Sequence, residues 1–359
     1  MSEAIDITPV VLPDAVDAPD ADDLHALIDV FNRALEYDLG VDHLRWEASE
    51  MLPEWRDQTY RMHQGFLARR GGRAVGAAQL TAPREEGARA LEFDLLAAPE
   101  ARDCGVEAAL LKRLYAQALE WERPVVQTYT LHRIDEAAER LAAPTGFGWV
   151  PRDAQTALYL DSGFALGQVE RNSMFDLRAD PSGVRAMLAG AEDAAGPEYR
   201  LEQWTGATPD ALVEGFAFVL SRMSTDPPQA GLEVVETVWD ADRVRSRDAR
   251  LAASGLLVLV SAVVHVPTGR VVAYNELTIG ADRTRKTQQW GTLVVKEHRG
   301  HRLGTIVKCA GILRWRELVP ESPFITTFNA EENRPMLDVN EAIGFTPIVI
   351  AGAWQKELA

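Results

Sequence analysis

Cysteine is scarce in this sequence of 359 residues, which contains only Cys104 and Cys309, far apart in the chain. A framework of disulfide bonds, of the kind that stabilises small secreted domains, is therefore not expected, and both thiols are predicted to be reduced. Cysteine and histidine also do not cluster at the spacings of zinc ligands. The sequence accordingly contains no candidate metal site.

Long apolar runs are missing as well. The longest one, residues 255–266, has the length of a strand, whereas a helix that spans a bilayer needs about 20 apolar residues. Residues 1–23 carry acidic side chains but no basic ones, and they lack an apolar segment of signal-peptide length. These features predict a cytoplasmic protein without a membrane partner.

Positive charge is in deficit, because 37 Lys and Arg residues stand against 54 Asp and Glu residues and the formal net charge is −17. Such a charge repels phosphate backbones, so nucleic-acid binding is not expected. The charge is also uneven, since residues 1–60 contain 15 acidic residues and 3 arginines, whereas residues 281–308 have a local charge of +5. This basic segment contains Arg283, Arg285, Lys286, Lys296, Arg299, Arg302 and Lys308.

The chain is long enough for two domains of about 100–200 residues each, and its 47% apolar and 25% charged residues are ordinary globular values. From residue 199 onward the patterns indicate a strand, two helices, three strands, a helix, a strand, a helix and a strand. The first half repeats that order less clearly. The sequence therefore predicts an α/β (α+β) protein with domains 1–178 and 200–359, each a mixed central sheet flanked by helices. Residues 179–199, small and polar, are interpreted as the linker.

Two landmarks relate the halves. Arg102 and Arg299 are 197 residues apart, and the pairs Gly163-Phe164 and Gly344-Phe345 are 181 apart. The first half thus carries about sixteen extra residues, which we place at 142–152, a stretch rich in Pro and Gly. A helix is predicted over residues 48–62.

A loop in the second half carries the main motif. Residues 293–304 read Leu-Val-Val-Lys-Glu-His-Arg-Gly-His-Arg-Leu-Gly and lead into a predicted helix. They resemble the acyl-CoA loop of the GNAT acetyltransferase superfamily, in which a strand is followed by Arg/Gln-x-x-Gly-x-Gly/Ala and a helix. Arg299 and Gly304 match, whereas Arg302 stands where the middle glycine is usual. Successive backbone N–H groups at a helix N-terminus can hold a pyrophosphate there.

A second motif, residues 333–345, resembles the superfamily's Asn-x-x-Ala-x-x-x-Tyr-x-x-x-Gly-Phe helix. Asn333 and Gly344-Phe345 match, and Asn340 falls where many members place a tyrosine that protonates the leaving thiolate. An amphipathic helix with a glycine C-cap would explain Gly344 alone. It would not explain why both motifs follow one another in the expected order.

The resemblance implies two tandem GNAT-like domains, acetyl-CoA as cosubstrate and an amine of a small molecule as acceptor. A backbone amide on the strand before the loop would stabilise the oxyanion, and the alignment places this amide at Val294 or Val295. The oligomeric state is left open, with a homodimer as one candidate. The implied coenzyme-binding residues are Val294, Val295, Arg299, Gly300, His301, Arg302, Leu303, Gly304 and Asn333.

Proton transfer requires two further groups. A carboxylate can take the proton of the amine, and Glu276 on the adjacent strand is the candidate, with an outward-facing structural acid as an equal alternative. Asn340 is not an acid at neutral pH, so Tyr274, a water molecule or the ammonium product must supply the proton of the thiolate. Glu276, Val294 and Tyr274 are the candidate catalytic residues.

The first half carries a weaker version of the loop. Arg102 and Gly105 match the pattern, but Glu107 stands where Gly or Ala is expected. Tyr159 precedes Gly163 by four residues, the usual place of the thiolate acid, although a buried core tyrosine explains it too. We interpret this half as a degenerate copy with a second candidate site at Arg102, Gly105 and Tyr159. The second half is expected to be catalytic, as in the layout of the mycothiol synthases.

Two functions from different classes remain open at this level. The first is an acyl-CoA-dependent N-acetyltransferase that works by direct attack in a ternary complex, and the second is a non-catalytic acyl-CoA-binding or regulatory module. An NTP- or dinucleotide-binding enzyme is disfavoured, because neither of the glycine-rich phosphate motifs typical of such enzymes follows a predicted strand.

Overall fold

The structure is a computed structural model that describes residues 4–359. The chain divides into two units. Unit 1 comprises the chain up to Val169 with Ala230–Val235 and Val349–Ala359, and unit 2 comprises Glu170–Gln229 and Glu236–Ile348. The C-terminal segment thus belongs to unit 1, whereas the sequence analysis placed it in the second domain.

Unit 1 contains a sheet in which the first five strands lie in chain order, with residues 349–357 beside the fifth. All neighbours are antiparallel except the fourth and fifth strands. Its elements are β1 (Asp6–Val10), α1 (Asp22–Leu39), α2 (Ala48–Arg56), β2 (Arg61–Arg70), β3 (Arg73–Pro83), β4 (Ala90–Ala97), α3 (Val106–Glu120), β5 (Val125–Arg133), β6 (Arg140–Ala142), β7 (Trp149–Pro151), α4 (Ala154–Asp161) and β8 (Ala165–Asp176), which passes into unit 2 at Glu170.

Unit 2 contains a sheet of the same kind, and its elements complete the chain. They are α5 (Ser182–Ala195), β9 (Tyr199–Thr205), α6 (Val213–Arg222), α7 (Ala241–Ala253), β10 (Leu257–His265), β11 (Arg270–Ile279), β12 (Thr287–Val294), α8 (Leu303–Leu318), β13 (Phe324–Ala330), α9 (Arg334–Ile343) and β14 (Thr346–Glu357), which passes into unit 1 at Val349. The strand order is residues 170–176 of β8, then β13, β12, β11, β10 and β9. Only β12 and β13 are parallel.

Each sheet buries both faces, because successive strand residues point to opposite sides. In unit 1, Phe66 on β2 packs in the cluster that contains α3, whereas its neighbour Leu67 packs in the cluster that contains α1. In unit 2, Tyr274 packs with α6, and Leu277 packs with α8. Full burial of one large apolar side chain contributes about 1.5–3 kcal/mol, so these two-sided cores position the strands firmly.

The parallel strands pair only at their beginnings. In unit 1 the pairing of β4 with β5 ends at Phe93 and Thr128, although both strands continue. In unit 2 the pairing of β12 with β13 covers only Thr287–Ile325 and Gln288–Thr326. Beyond these pairs, the facing edges of β4 and β5, and those of β12 and β13, have no strand partner. This leaves a gap beside the end of β4 and of β12.

Most predicted elements are present in the predicted order. The predicted helix 48–62 is wrong in its second half, because it ends at Arg56 and β2 begins at Arg61. The interpreted linker contains α5, whose Val184 and Ala191 are buried. Alanine favours helix strongly, and this outweighs the small polar composition of the segment. The extra residues of the first half form the β6–β7 hairpin.

Both cysteines are free, with Cys104 exposed and Cys309 buried. Among residues 4–359 no helix has the length and apolar character needed to cross a membrane.

Candidate active site

The loop before α8 has an unusual backbone. Arg302 is the N-cap residue of α8 and adopts φ 56° and ψ 18°, and Gly300 has φ 89°. A side chain in the left-handed region costs roughly 1–2 kcal/mol, so Arg302 is kept there at an energetic expense. The first N–H groups of a helix have no partner within the helix, and here they follow the left-handed residue directly. The loop therefore offers backbone donors to an anion at the positive end of α8.

Unit 1 has the same loop with its glycine moved. Asp103 has φ 56° where unit 2 has Gly300, and Gly105 has φ 80° where unit 2 has Arg302. Each loop thus uses two left-handed residues, one of which is glycine. The departure of Arg302 from the glycine pattern consequently changes the charge of the loop but not its backbone shape.

The charges of the two loops differ strongly. The Arg102 guanidinium donates two hydrogen bonds to Asp38, at 2.6 and 2.7 Å, and its ion-pair partner is only 11% exposed. Glu107 lies in the first turn of α3, where burial raises the pKa of its carboxyl. In unit 1 the predicted second site is therefore occupied by its own ion pair and by an acid.

In unit 2 the loop is cationic and open. Arg299 is half-exposed and donates its Nε to the carbonyl oxygen of Val294 at 3.1 Å, with a loose 3.8 Å ion pair to Asp226. Arg302 is exposed, and Gly304 stands where unit 1 has Glu107. Two guanidinium groups are thus available beside the N-terminus of α8.

The basic segment 281–308 does not form one surface, which corrects the interpretation drawn from its charge. Arg283 donates to the backbone carbonyl groups of Ile279 and Gly280 at the end of β11. Lys308 is completely buried on α8. A count of charged residues along the chain does not show which side chains of a helix point inward. In the structure, Lys296, Arg299 and Arg302 are the residues that give the loop its positive charge.

The strand amides decide between the two predicted oxyanion donors. The N–H of Val295 donates to the carbonyl oxygen of Val272 at 2.9 Å, so it is not available. Hydrogen-bonded and non-hydrogen-bonded pairs alternate in an antiparallel ladder, and Val294 pairs with Ala273 next to this bond. The N–H of Val294 consequently points away from β11, into the gap beside β12. Val295 as oxyanion donor is therefore wrong, and Val294 keeps the position.

The same alternation holds in unit 1, where the N–H of Ala98 donates to the carbonyl oxygen of Val75 at 2.9 Å. Ala97 pairs with Gly76 and is the counterpart of Val294. Both units therefore direct one strand amide into the gap.

A β-bulge distinguishes β12 from β4. Asn275 pairs with Thr292 and Leu277 pairs with Gln289, so two residues of β12, Trp290 and Gly291, lie opposite Glu276. The corresponding pairing in unit 1 runs from Gly76 to Thr81 without a shift. Bulges bend a strand and occur often beside active sites.

Glu276 and Tyr274 are both buried, and each is committed to a structural contact. The carboxylate of Glu276, 3% exposed, accepts a hydrogen bond at 2.7 Å from Arg247 on α7. The ring of Tyr274 meets Phe216 edge-on, and burial raises the pKa of its hydroxyl. Tyr274 is thus a weaker acid than in water and faces α6 rather than α8, which does not suit a proton donor to the thiolate.

The residues of the second motif lie at the start and on the buried face of α9. Asn333 is the N-cap residue, although its side chain makes no capping hydrogen bond. Asn340 is buried and donates its Nδ2 to Asn329 on β13 at 2.7 Å, while its Oδ1 has no hydrogen-bond partner. Gly344 ends the helix with φ 113°, as the glycine C-cap predicts.

His301 belongs to a cluster of aromatic rings that also contains Tyr199, His265 and His298. The Tyr199 hydroxyl is 3.0 Å from Nδ1 of His298, and the rings of His265 and His301 lie 5.4 and 5.1 Å from that of Tyr199. Burial and the neighbouring His265 lower the pKa of His298. A cavity of about 330 Å³ lies next to this cluster, lined by Phe218, Arg222, Arg270, Val271, Val272, Val295, Glu297 and His298.

Two polar residues were not singled out from the sequence. Asp94 follows the last β4–β5 pair and accepts a hydrogen bond from Gln79 at 2.5 Å, and burial raises the pKa of its carboxyl to about 6. Tyr159 of the second candidate site is buried near it, between Phe164 and Trp354. Lys308 was predicted only as one cation of the basic segment 281–308. For Asp94 and Lys308 alike, the signal available in the sequence was a charged residue within an apolar pattern.

The described residues contain no group of three or more His, Cys, Asp or Glu side chains that could hold a metal ion.

Residues 25–147 match the model of the acetyltransferase (GNAT) family. No curated protein matches the chain in sequence. Among solved structures, a tandem GNAT protein from the clavulanic acid biosynthesis pathway is similar, with a TM-score of 0.75 and 24% identity over 99% of this chain and 98% of that chain.

Two further structures are similar. One is a GCN5-related N-acetyltransferase from Sphaerobacter thermophilus, with a TM-score of 0.59 and 16% identity over 98% of this chain and 95% of the other. The second is a glucosamine N-acetyltransferase region of a fungal multi-domain β-N-acetylglucosaminidase, with a TM-score of 0.58 and 12% identity over 99% of this chain and 38% of the other.

These findings confirm the resemblance to the GNAT superfamily and the tandem GNAT fold. The family match covers residues 25–147, and the likeness to solved structures of 24% identity or less shows the fold. The matched residues all lie in unit 1, the half that the sequence analysis interpreted as degenerate.

Proposed function

We propose that this protein is an acyl-CoA-dependent N-acetyltransferase, which moves an acetyl group from acetyl-CoA to an amine of a small molecule by direct attack in a ternary complex. The observation that carries the proposal is the loop before α8. It combines the left-handed backbone at Arg302, the free N–H groups of the first turn of α8, and the exposed Arg299. We assign the coenzyme to unit 2 because the loop of unit 1 contains Glu107 and a guanidinium already bound by Asp38.

The loop fits the diphosphate of the coenzyme in charge and in donors. Charge-assisted hydrogen bonds from guanidinium groups and from backbone N–H groups are the strong ones for phosphate oxygens. Residues 299–304 would hold this part, with Arg299 and Arg302 as cations, His301 and Leu303 as loop and helix positions, and Gly300 and Gly304 allowing close approach. Asn333, at the start of α9, keeps its predicted place as a coenzyme contact.

The gap beside β12 fits the thioester. The N–H of Val294 points into this gap and would donate to the oxygen that becomes negative when the amine attacks the carbonyl. Removal of such a donor commonly costs two to three orders of magnitude in rate, roughly 2.7–4 kcal/mol. A backbone amide does not titrate, so the N–H of Val294 is available to the reaction at every pH.

Removal of the amine proton is the less defined step. Glu276 is the predicted carboxylate, and its Oε1 accepts a hydrogen bond from Arg247. Transfer to Glu276 would use the other oxygen, Oε2, or require this ion pair to open when the acceptor binds. The alternative route is through water in the gap, and a direct test is the Glu276→Gln variant, which keeps the hydrogen bond to Arg247 but cannot take a proton.

The experiment that tests the proposal is isothermal titration of acetyl-CoA, followed by detection of free thiol with a panel of amines. We expect one strong binding event, weakened about 10- to 100-fold in an Arg299→Ala, Arg302→Ala double variant, since a hydrogen bond to a charged group contributes roughly 1.5–3 kcal/mol. The matched control is Arg314→Ala, Arg316→Ala, which removes one exposed and one partly exposed arginine from the far end of α8. Absence of binding by the unmodified protein would overturn the proposal.

A non-catalytic acyl-CoA-binding module is the second candidate. It is favoured by Asn340, which cannot donate a proton as an acid, and by the orientation of Tyr274 toward α6. Tight binding of acetyl-CoA without release of thiol for any amine in the panel would support it.

A further inference from the structure

Lys308 is an isolated cation in the core of unit 2. It lies on α8, is completely buried, and its Nζ has no hydrogen-bond partner. The centroid of the Phe345 ring is 5.9 Å from Nζ. Transfer of an ammonium group from water to such a site costs several kcal/mol unless a partner compensates. Nothing in the packing of α8 requires a lysine at this position.

The counterpart of Lys308 in unit 1 is apolar, which indicates the residue type that packing alone favours at this position. The spacing of 197 residues that relates Arg102 to Arg299 relates Leu111 to Lys308, and the spacing of 181 relates Tyr159 to Asn340. In unit 1, Leu111, Tyr159 and Phe164 belong to one core cluster, and the ring of Tyr159 lies 5.2 Å from that of Phe164, the counterpart of Phe345. The ring at this position thus adjoins Tyr159 in unit 1 and Lys308 in unit 2. Unit 1 combines leucine with tyrosine, and unit 2 combines lysine with asparagine.

Unit 2 contains buried acceptors but no anion that acts on Lys308. Asn340 Oδ1 on α9, Gln289 Oε1 on β12 and Asn275 Oδ1 on β11 are buried and have no hydrogen-bond partner. Asn275 lies on the α8 side of the sheet, because a Cβ at Gly311 would come within 3.2 Å of its Oδ1. The one titratable neighbour that acts on Lys308 is the buried Cys309 thiol, and the residues named here on α9, β11 and β12 are uncharged. Lys308 thus has no anionic partner among these residues.

We propose that the ammonium group of Lys308 protonates the sulphur of the departing coenzyme A in unit 2, in place of the tyrosine hydroxyl that unit 1 carries at Tyr159. This inference rests on the proposed acetyl transfer. It identifies the proton donor that Asn340 cannot be and that Tyr274, facing α6, does not suit.

The step balances as follows. The amine nitrogen forms a bond to the thioester carbonyl carbon, and the carbon–sulphur bond breaks with its electron pair on sulphur. The sulphur takes a proton from Lys308, which becomes a neutral amine. The proton lost by the acceptor nitrogen passes to water and restores the ammonium group. One amine and one thioester thus give one amide and one thiol.

The chemistry of the site suits this role. Burial lowers the pKa of Lys308 to about 7, so the group gains and loses its proton near neutral pH. An acid whose pKa is close to the working pH is the most effective general acid. The thiolate would also supply the negative partner that Lys308 lacks in the resting protein.

The first test needs no acceptor. Coenzyme A and desulfo-coenzyme A are titrated separately into the protein by calorimetry, and the ratio of their affinities reports the contact with the sulphur. We expect coenzyme A to bind more tightly than desulfo-coenzyme A to the unmodified protein, and this difference to disappear in Lys308→Leu, the residue that unit 1 carries. The control Lys112→Leu removes an exposed lysine of α3 and should keep the difference. No binding would overturn the proposed function, whereas binding with no difference, or with an equal difference in Lys308→Leu, would overturn the role of Lys308.

The second test uses turnover. Lys308→Leu should lower kcat by about 10²-fold or more, the usual contribution of a general acid, with little change in KM. Addition of Asn340→Tyr should recover part of the loss and move the fall of kcat at high pH from about 7 toward the pKa of tyrosine, about 10. A merely structural lysine would predict neither the recovery nor the shifted profile. Wild-type kcat in a folded Lys308→Leu variant would contradict the inference.

Discussion

The loops before α3 and α8 have nearly the same backbone and opposite electrostatics. Both use two left-handed residues, but unit 1 places Asp103 and Gly105 where unit 2 has Gly300 and Arg302. In the first turn of the helix, unit 1 then has Glu107 and unit 2 has Gly304. The comparison shows that the backbone shape of the loop and its charge are separable. The fold needs two residues with positive φ, whereas an anion needs the charges that those positions and the following turn carry.

The polar residues of the two units differ as well. Unit 1 has a tyrosine and a buried carboxylate, Tyr159 and Asp94, whereas unit 2 has a bulge in β12, an unpaired lysine and an asparagine. Exchange of such residues between the units tests what each of them contributes, beginning with the exchange that should have the greatest effect.

The largest difference is expected in the free energy of unfolding, which the buried Lys308 lowers. Its pKa falls from 10.5 in the unfolded chain to about 7 in the folded protein, so between these values the unfolded chain binds more protons and stability rises with pH. The slope is on the order of 1.4 kcal/mol per pH unit. Lys308→Leu should be more stable than the unmodified protein at pH 7, and the difference should shrink toward pH 10. Urea unfolding of both proteins at several pH values measures it, and a constant difference would contradict the buried charge.

The next exchange transfers the acid of unit 1 into the loop of unit 2. Gly304→Glu places a carboxylate in the first turn of α8, where like charges juxtaposed with phosphate cost several kcal/mol, so acetyl-CoA affinity should fall at least about 100-fold. A Cβ at Gly304 meets Val294 Cγ2 at 3.7 Å, an ordinary contact, and the variant should fold. Gly304→Ala is the control for added volume. Equal loss in both variants, measured by calorimetry, would show that space rather than charge excludes the coenzyme.

The third exchange releases the arginine of unit 1. Asp38→Asn breaks the paired hydrogen bonds to Arg102 and should destabilise the protein by about 1–3 kcal/mol, the usual loss for a hydrogen bond to a charged group. Coenzyme affinity in unit 2 should stay the same. A second binding event in the calorimetric titration would show that the ion pair alone keeps unit 1 from binding coenzyme.

The smallest effect concerns the left-handed arginine. Arg302→Gly should stabilise the protein by about 1 kcal/mol, because glycine adopts positive φ without strain. It should at the same time weaken acetyl-CoA binding, since a guanidinium is lost. Thermal unfolding and calorimetry test both signs, and Gly105→Arg should destabilise unit 1 in the reciprocal direction. A loss of stability in Arg302→Gly would mean that the side chain makes a contact that outweighs its strain.

Much of the fold was predictable because its signals are local. Helix periodicity, turn residues and the Gly344 C-cap predicted α7, α9 and the order of elements in both halves. The failures have local causes as well. The small and polar composition of residues 179–199 indicated a linker although their alanine residues favour the helix α5, and the predicted helix from Ala48 ran on past Arg56 into β2. The assignment of the C-terminal strand to the first unit depends on pairing between residues 125–133 and 349–357, which no local pattern encodes.

The sequence by itself determined the superfamily resemblance, the coenzyme loop at Arg299 to Gly304 and the departure at Asn340, because these depend on residue identity in a fixed order. Only the tertiary structure decided that Val294 rather than Val295 offers its amide, that Glu276 is bound by Arg247, and that Lys308 lies buried without a partner. Hydrogen-bond direction, ion pairing and burial arise between residues distant in the chain, so they follow from the packed fold and not from the order of residues.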